Sequence, residues 1–463
     1  MSADWQQTGG TIATGLTRRA FGRRATLFAA GGAATTSVLG LAACGAGGAG
    51  SATSGETVAV PKVRPGTTVR LHVRTGNEAD TLKERLPVLE AEQGVKTEIE
   101  AFGQNEYYEK IQVLLAGDSI GDVVWGSNST GQGALWAFSN TFRYADDLIK
   151  AEKFDLSAYY PSAVEGVKFE GKAFGLPFKF HPGPMAIYYN VDAFTKEGQK
   201  APDGNLTFDQ VAELARKMTQ PGIRWGFRTG DNNPGYQWAV NYARTWGTDI
   251  ISADGKKSQL AQPQVIQGLQ WVHDMMYRHR AAPTWPPKDA SFEQGQVAML
   301  QSTSSSKNLN VRVKDFTVMD VLMPKGPTGK RGSMGVTDFL SITRSSKNAT
   351  EGWALVKHLC DKETGIRLGE GGASTGSGTS GARKDVFQSE RLLANPLHKI
   401  WIEAAETAQP LLVPFNFLGE EHQKVLNEGL NPIFKGEVPL NQSTLAEIDR
   451  RLQVVLDKPR PGR

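Results

Sequence analysis

The chain has 463 residues, 39% of them hydrophobic and 22% charged, with a net charge of +4. That balance excludes a disordered or collagen-like chain, and the length predicts at least two lobes with cores of their own. Four arginines, Arg18, Arg19, Arg23 and Arg24, precede Cys44 against one acid, Asp4, so the rest of the chain carries only +1 and lacks the basic excess of a nucleic-acid protein.

The first segment reads as an address. Thr17-Arg18-Arg19-Ala20-Phe21 holds a twin arginine, and Ala25 to Ala43 is weakly apolar. It is too poor in Leu, Ile and Phe for an ordinary membrane-spanning helix. Leu41-Ala42-Ala43-Cys44 then puts small residues before a cut. The segment resembles a twin-arginine export signal joined to a bacterial lipoprotein cleavage box, with Gly22 and Arg23 where the export motif usually has Leu and Lys. That resemblance implies a signal peptide over 1–43 and a lipid on the sulfur of Cys44. An uncleaved anchoring helix is the alternative. Residues 44–66 are then the lipidated cysteine and a linker whose Gly, Ala and Ser content makes it flexible.

Val69, Leu71 and Val73 alternate, which predicts a strand over Thr68 to Arg74. Leu82, Leu86 and Leu89 predict a helix over Asn77 to Gln93, ended by Gly94. A strand over Lys96 to Phe102, a helix around Tyr107 to Leu115 and a short strand Asp122 to Trp125 follow. Strand, helix, strand, helix, strand predicts a parallel sheet, with ligand bound beyond the carboxyl ends of its strands. Thr75 to Asn77, Trp125, Ser127 and Asn128 are therefore expected at a cleft edge. Pro182, Gly183 and Pro184 lead into Ala186 to Tyr189 and look like a crossing between lobes, with a second crossing near Met323 to Gly326. Helices are predicted over Thr207 to Thr219, Gly235 to Thr245, Gln262 to Arg280 and Thr350 to Leu368, and strands over Phe316 to Leu322 and Phe339 to Thr343.

The chemical motifs are weak. Gly372-Ala-Ser374-Thr-Gly376 matches a nucleophile elbow but follows a helix end rather than a strand, so Ser374 with Asp385 and His398 is a remote hydrolase reading. Gly376-Ser-Gly378-Thr-Ser-Gly381 matches a dinucleotide fingerprint without the strand it needs. The seven histidines have no zinc spacing. No catalytic residue, metal or cofactor is expected. Cys360, in a helical apolar pattern, is expected to be a buried small hydrophobe.

The aromatics carry more. Trp125, Tyr236, Trp238, Phe415 and Phe417 sit beside turn residues, with amides such as Asn128, Gln237 and Asn416 nearby. Rings stack on the apolar face of a pyranose while amides and hydroxyls take its hydroxyl groups. Tyr236 is favoured as the platform and Trp238 as a wall, because residues two apart cannot share a helix face.

From about Thr68 to Leu456 the chain resembles bacterial extracellular solute-binding proteins of carbohydrate ABC importers, the class of maltose-binding protein. The resemblance rests on Gly171-Lys-Ala-Phe-Gly-Leu-Pro177, Ile187-Tyr-Tyr-Asn190, Tyr236-Gln-Trp238, Phe292-Glu-Gln-Gly295-Gln-Val-Ala-Met299 and Thr343-Arg-Ser-Ser-Lys-Asn348 before Gly352-Trp353. It implies an α/β periplasmic-binding-protein-like fold of two lobes, joined by hinge strands and closing on ligand. One lobe would hold 67–180 plus about 325–372, the other 181–324 plus about 373–463. Carried over by position, Trp125, Ser127, Asn128, His181, Gly183, Tyr236, Trp238, Thr337, Asp338, Phe415, Asn416 and Phe417 would face the cleft. One departure stands out. Many sugar binders of the class carry a Gly-x-Trp platform after Ala298-Met299, where this chain has Gln301-Ser-Thr-Ser-Ser-Ser306, which favours a small, hydrated ligand over a long maltodextrin.

The implied function is capture of a monosaccharide or short oligosaccharide and delivery to an ABC permease, by a monomer held by lipid on the outer face of the cytoplasmic membrane, with no chemistry. The alternative is a polyamine or other small polar solute on the same scaffold. Labelled fatty acid is expected to enter the protein through Cys44 in a bacterial host. A Cys44→Ala variant that stays labelled and membrane-bound would overturn the lipid anchor.

Overall fold

The computed structural model of the chain describes residues 62–129, 131–183, 185–230, 235–371 and 378–462, all within the unit Thr57–Arg463. Cys44 and Ser374 lie outside the described residues. Along β1 (Thr68–Arg74) the alternating Val69, Leu71 and Val73 are fully buried. The helix Asn77–Gln93 follows and is closed by Gly94 at φ 70, whose N–H returns to the Glu90 carbonyl. A residue without Cβ takes that left-handed turn at no steric cost. β2 (Lys96–Phe102), the helix Tyr107–Ala116 and β3 (Val123–Ser127) complete the unit. β1 pairs in parallel with both β2 and β3, as the alternation of elements predicted.

A small hairpin, β4 (Lys168–Phe169) and β5 (Lys172–Ala173), precedes β6 (Leu176–Pro182) and β7 (Ala186–Asn190). β8 (Trp225–Thr229), β9 (Val297–Ser302), β10 (Val318–Leu322) and β11 (Gly335–Ile342) complete the set of described strands. One sheet has the order β2-β1-β3-β11-β6 and another β10-β7-β9-β8. The chain passes from the first sheet to the second between β6 and β7 and returns between β10 and β11. β11 lies antiparallel between β3 and β6, so the first sheet is mixed rather than parallel throughout. No local pattern in the sequence announces that long-range insertion.

Each sheet has its own core. Leu71, Val123, Leu340 and Trp353 pack in the first, and Phe227, Trp271, Met299 and Leu426 in the second. A third cluster joins Tyr160 and Phe180 beside the first sheet to Tyr188, Leu300 and Trp401 beside the second. The helix Phe208–Met218 has the predicted cap: Thr207 accepts the Gln210 N–H and the Gln210 side chain accepts the Thr207 N–H. The single helix expected over Thr350 to Leu368 is two, Ala349–Leu359 and Lys362–Glu370. Asp361 turns extended between them, and its carboxylate accepts the Thr364 N–H at 2.7 Å. Cys360 at the break is buried, and burial pushes its thiol well up, as befits a small hydrophobe. Among the described residues no helix is long and apolar enough to cross a membrane.

Asp320, opposite Tyr188 on β10, is 6% exposed, and its Oδ2 has no partner among the described residues. Burial pushes its carboxyl up to about 8. A carboxyl raised on folding stabilises fully below its unfolded value, near 4, and loses that contribution as pH climbs to 8. The Asp320→Asn variant is therefore expected to match the wild type near pH 4. It should gain on it by on the order of 1 kcal/mol per pH unit above that. Urea melts across that range check this, and parallel curves would sink it.

Candidate functional site

The carboxyl ends of β1, β3 and β6 and the start of β11 share one edge of the first sheet. Register sets Asp338 opposite Ser127, and Val336 opposite His181. The end of β9 and the start of β7 share an edge of the second, with Ala186 opposite Ser302. Between these edges lies a cavity of about 260 Å³. Arg74, Ser127, His181 and Asp338 line it from the first sheet, with Gln104 and Ser129. Gln237, Asn241, Met185 and Thr303 line it from the side of the second. A cavity of about 180 Å³ adjoins it through Met185, Gln237 and Thr303 and continues over Gln301, Ser302, Ser305 and Ser306. Two larger depressions, about 690 and 410 Å³, are lined from the surroundings of the second sheet alone. The cavity that draws on both sheets at their carboxyl edges is the candidate site.

The run Gln301 to Ser306, where hydroxyls replace an expected ring, thus lines the cavity. Gln237 and Asn241 reach it because they lie one helical turn apart on Tyr236–Thr245. That face lies between Tyr236 and Trp238, so the amide flanked by the two rings, rather than either ring, heads the helix into the cavity. The Asn241 Nδ2 donates to the Gln237 carbonyl at 2.8 Å, which fixes the amide's orientation. Its buried Oδ1 has no donor among the described residues. Across the opening, the Gln423 Nε2 donates to the Ser129 carbonyl at 2.7 Å.

Charge is concentrated on the first sheet's edge. Asp338 is 2% exposed, and its Oδ2 accepts from the Lys179 Nζ at 2.9 Å, with the His181 Nε2 at 3.3 Å and the Arg74 Nη2 at 3.9 Å. Glu78 pairs with both Lys179 and Arg74. Burial alone would raise the Asp338 carboxyl, but Lys179, His181 and Arg74 together hold it well below the usual carboxylate range. Burial would likewise lower the Arg74 guanidinium, and Glu78 and Asp338 outweigh it. His181 is held from its other side by Thr379, with the Nδ1 and Oγ1 3.3 Å apart.

Of the residues expected at the cleft, Ser127, His181, Gly183 and Asp338 line the larger cavity and Trp238 the smaller. Gly183 is where the two crossing segments touch: a Cβ there would lie 2.4 Å from the Met334 nitrogen. Apart from Trp238, the rest are placed elsewhere. Trp125 is 1% exposed, because β3 runs on to Ser127 and turns the indole onto Tyr107 at 5.1 Å rather than to the edge. Tyr236 is turned away from the cavity and donates to the Leu412 carbonyl at 3.1 Å. Trp238 is 1% exposed and packs edgewise on Phe434. Asn128 and Thr337 are spent on each other: the Asn128 Oδ1 accepts the Thr337 N–H at 2.8 Å. Phe415 is covered by the Arg460 guanidinium at 3.6 Å, and Phe417 packs on Phe138 at 5.1 Å. Asn416 donates to the Val455 carbonyl at 2.7 Å and so closes the last helix. Sequence reasoning passed over Arg74, Gln104 and Asn241. Position at a strand's carboxyl end was the signal for Arg74, since the flanking Thr75 to Asn77 was flagged.

Two mixed sheets whose edges face one polar cavity, with the chain crossing between them more than once, define a two-lobed binding fold of the maltose-binding type. Residues 88–399 match the family model of bacterial extracellular solute-binding proteins, and the chain belongs to that family. A binding protein of Brucella abortus is 29% identical over 202 residues, 42% of this chain and 48% of its own length. The chain thus spans about half the length of the curated relatives it matches. An ABC substrate-binding protein of Listeria monocytogenes, solved with cycloalternan, superposes with a TM-score of 0.72 at 15% identity, over 84% of this chain and 99% of that one. A solute-binding protein of Thermotoga lettingae, bound to alpha-D-tagatose, gives 0.69 at 17% identity over 84% and 100%. At such identities the likeness establishes the fold.

Asp338→Asn leaves Lys179 facing only Glu78 in a buried setting. The variant is expected to lose about 3 kcal/mol at pH 7, and the gap should narrow as pH falls below about 4, where the unfolded wild-type carboxyl takes up a proton that the native one, held by its cations, still refuses. Urea unfolding at both pH values reads this, and an equal stability at pH 7 would contradict it.

Proposed function

We propose that the chain captures a neutral sugar, a monosaccharide or short oligosaccharide, and hands it to the permease of an ABC importer. One observation carries the reading. The cavity between the sheets presents donors, the Arg74 guanidinium and the serine and threonine hydroxyls, beside acceptors, the Asp338 carboxylate and those same hydroxyl oxygens. A sugar hydroxyl both donates and accepts, so it satisfies both sets at once. A polyamine would need carboxylates free to pair, and Asp338 is already held by Lys179, His181 and Arg74. The sugars bound by the Listeria and Thermotoga proteins support the same class.

Ligand touching both edges favours the state in which they face each other, which shifts a pre-existing equilibrium toward closure. In this reading 67–180 with about 325–372, and 181–324 with about 373–463, are the two closing lobes. The twin-arginine segment exports the chain, and lipid on Cys44 holds a monomer at the outer face of the cytoplasmic membrane. Sugars are expected to raise the melting midpoint in a thermal-shift panel, because a ligand of the native state stabilises by mass action. A midpoint raised by spermidine and by no sugar would reverse the assignment.

A further inference from the structure

Among the described residues lining the two cavities, the only Phe, Tyr or Trp is Trp238, at 1% exposure. The internal residues outside the description are Thr130, Pro184, Asp231 to Pro234 and Gly372 to Ser377, and none of them is aromatic. Among the described residues the cavities have no accessible ring face on which a pyranose could stack. The ring that the sequence pointed to, Trp125, is covered: the Arg74 guanidinium lies 3.9 Å from its centroid.

Arg74 therefore stands where a stacking platform would. Its plane is fixed by the indole, and its Nη2 by Glu78. Its Nε and Nη1 have no acceptor among the described residues, and the side chain, 19% exposed, opens onto the cavity. Guanidinium donors form a rigid planar fork, matched to two oxygens on neighbouring atoms. Such a pair is either an anion's oxygens or a sugar's adjacent hydroxyls. The charges decide between them. Glu78 and Asp338 balance Arg74 and Lys179, so the edge has no net charge to attract an anion.

We infer that Arg74, held on Trp125, is the specificity-determining residue of the cleft, and that its fork grips the vicinal hydroxyls of a small neutral sugar in place of aromatic stacking. The inference rests on the sugar reading above. It predicts a preference for short, fully hydroxylated solutes over long oligosaccharides, whose apolar ring faces would find no aromatic face among the described lining residues.

Calorimetry on the purified protein tests it with D-glucose, D-galactose, D-mannose and D-tagatose, their monodeoxy counterparts, and D-glucuronate and glycerol phosphate as anions. The wild type is expected to bind at least one sugar and to bind a deoxy form lacking a gripped hydroxyl about tenfold or more weakly. Arg74→Lys, which keeps the charge and loses the fork, should bind the parent sugar as weakly as the wild type binds the deoxy form, and should not tell the two apart. Discrimination retained by Arg74→Lys, or an anion bound more tightly than the parent sugar, overturns the inference and leaves the sugar reading standing. A wild type that binds none of the sugars overturns both. If Arg74→Lys does not reach the native fold, the wild-type series decides, and deoxy sugars all bound as tightly as their parents overturn the fork.

Discussion

Asp338 and Glu78 hold two cations, Lys179 and Arg74, at the edge where β1 ends and β6 and β11 pair. Lys179 and Asp338 are nearly inaccessible, with side chains 5% and 3% exposed, so neither charge could stay there alone. Each needs the other strand in place, and the pairing therefore ties β11, which arrives from far down the chain, to the strand that leads out of the first sheet. Two of the four, Arg74 and Asp338, also line the cavity. Stability of the sheet's edge and the shape of the site are one constraint, because the ion pairs that fix the backbone register also fix the guanidinium that faces the ligand.

Behind that edge the molecule puts its rings to structural use. Trp125 supports Arg74 from below, Trp238 closes the second core against Phe434, and Phe417 packs under the first sheet against Phe138. What reaches the cavity is mixed: hydroxyls from the end of β9, amides from one helix turn and the charged rim, with Pro182, Met185, Met334 and Val336 among them. Such a lining sets many directional partners beside a few aliphatic side chains, so hydrogen-bond geometry carries much of its discrimination. The third core, in which Phe180 packs with Tyr188, sits between the sheets at the crossing. It leaves their facing edges to the ligand.

The sequence by itself was enough for much of the frame. Alternation in Val69 to Val73, the leucine face of Asn77 to Gln93 and the glycine after it give the opening β-α-β-α-β, because period two and period 3.6 are local properties of the chain. The proline and glycine cluster near Pro182 marked the crossing, and the run of hydroxyls after Met299 marked the loss of a stacking ring. Four lining residues, Ser127, His181, Gly183 and Asp338, were legible from strand ends and family order. Tertiary structure decided which way the aromatics turned. Trp125 lies one pleat inside a strand that continues to Ser127, and only the partner helix with Tyr107 and Tyr108 determines that its face is taken. Tyr236 and Trp238 flank the helix face that the cavity uses, and the choice of Gln237 and Asn241 depends on the rotation of that helix against the second core. The strand end placed Arg74 near the edge, but its role could not be read from sequence, because it depends on Glu78 a turn away, Lys179 and Asp338 on distant strands, and an indole beneath it. Periodicity tells a side chain which face of its own element it occupies; which neighbours cover that face is set by strands and helices far away in the chain.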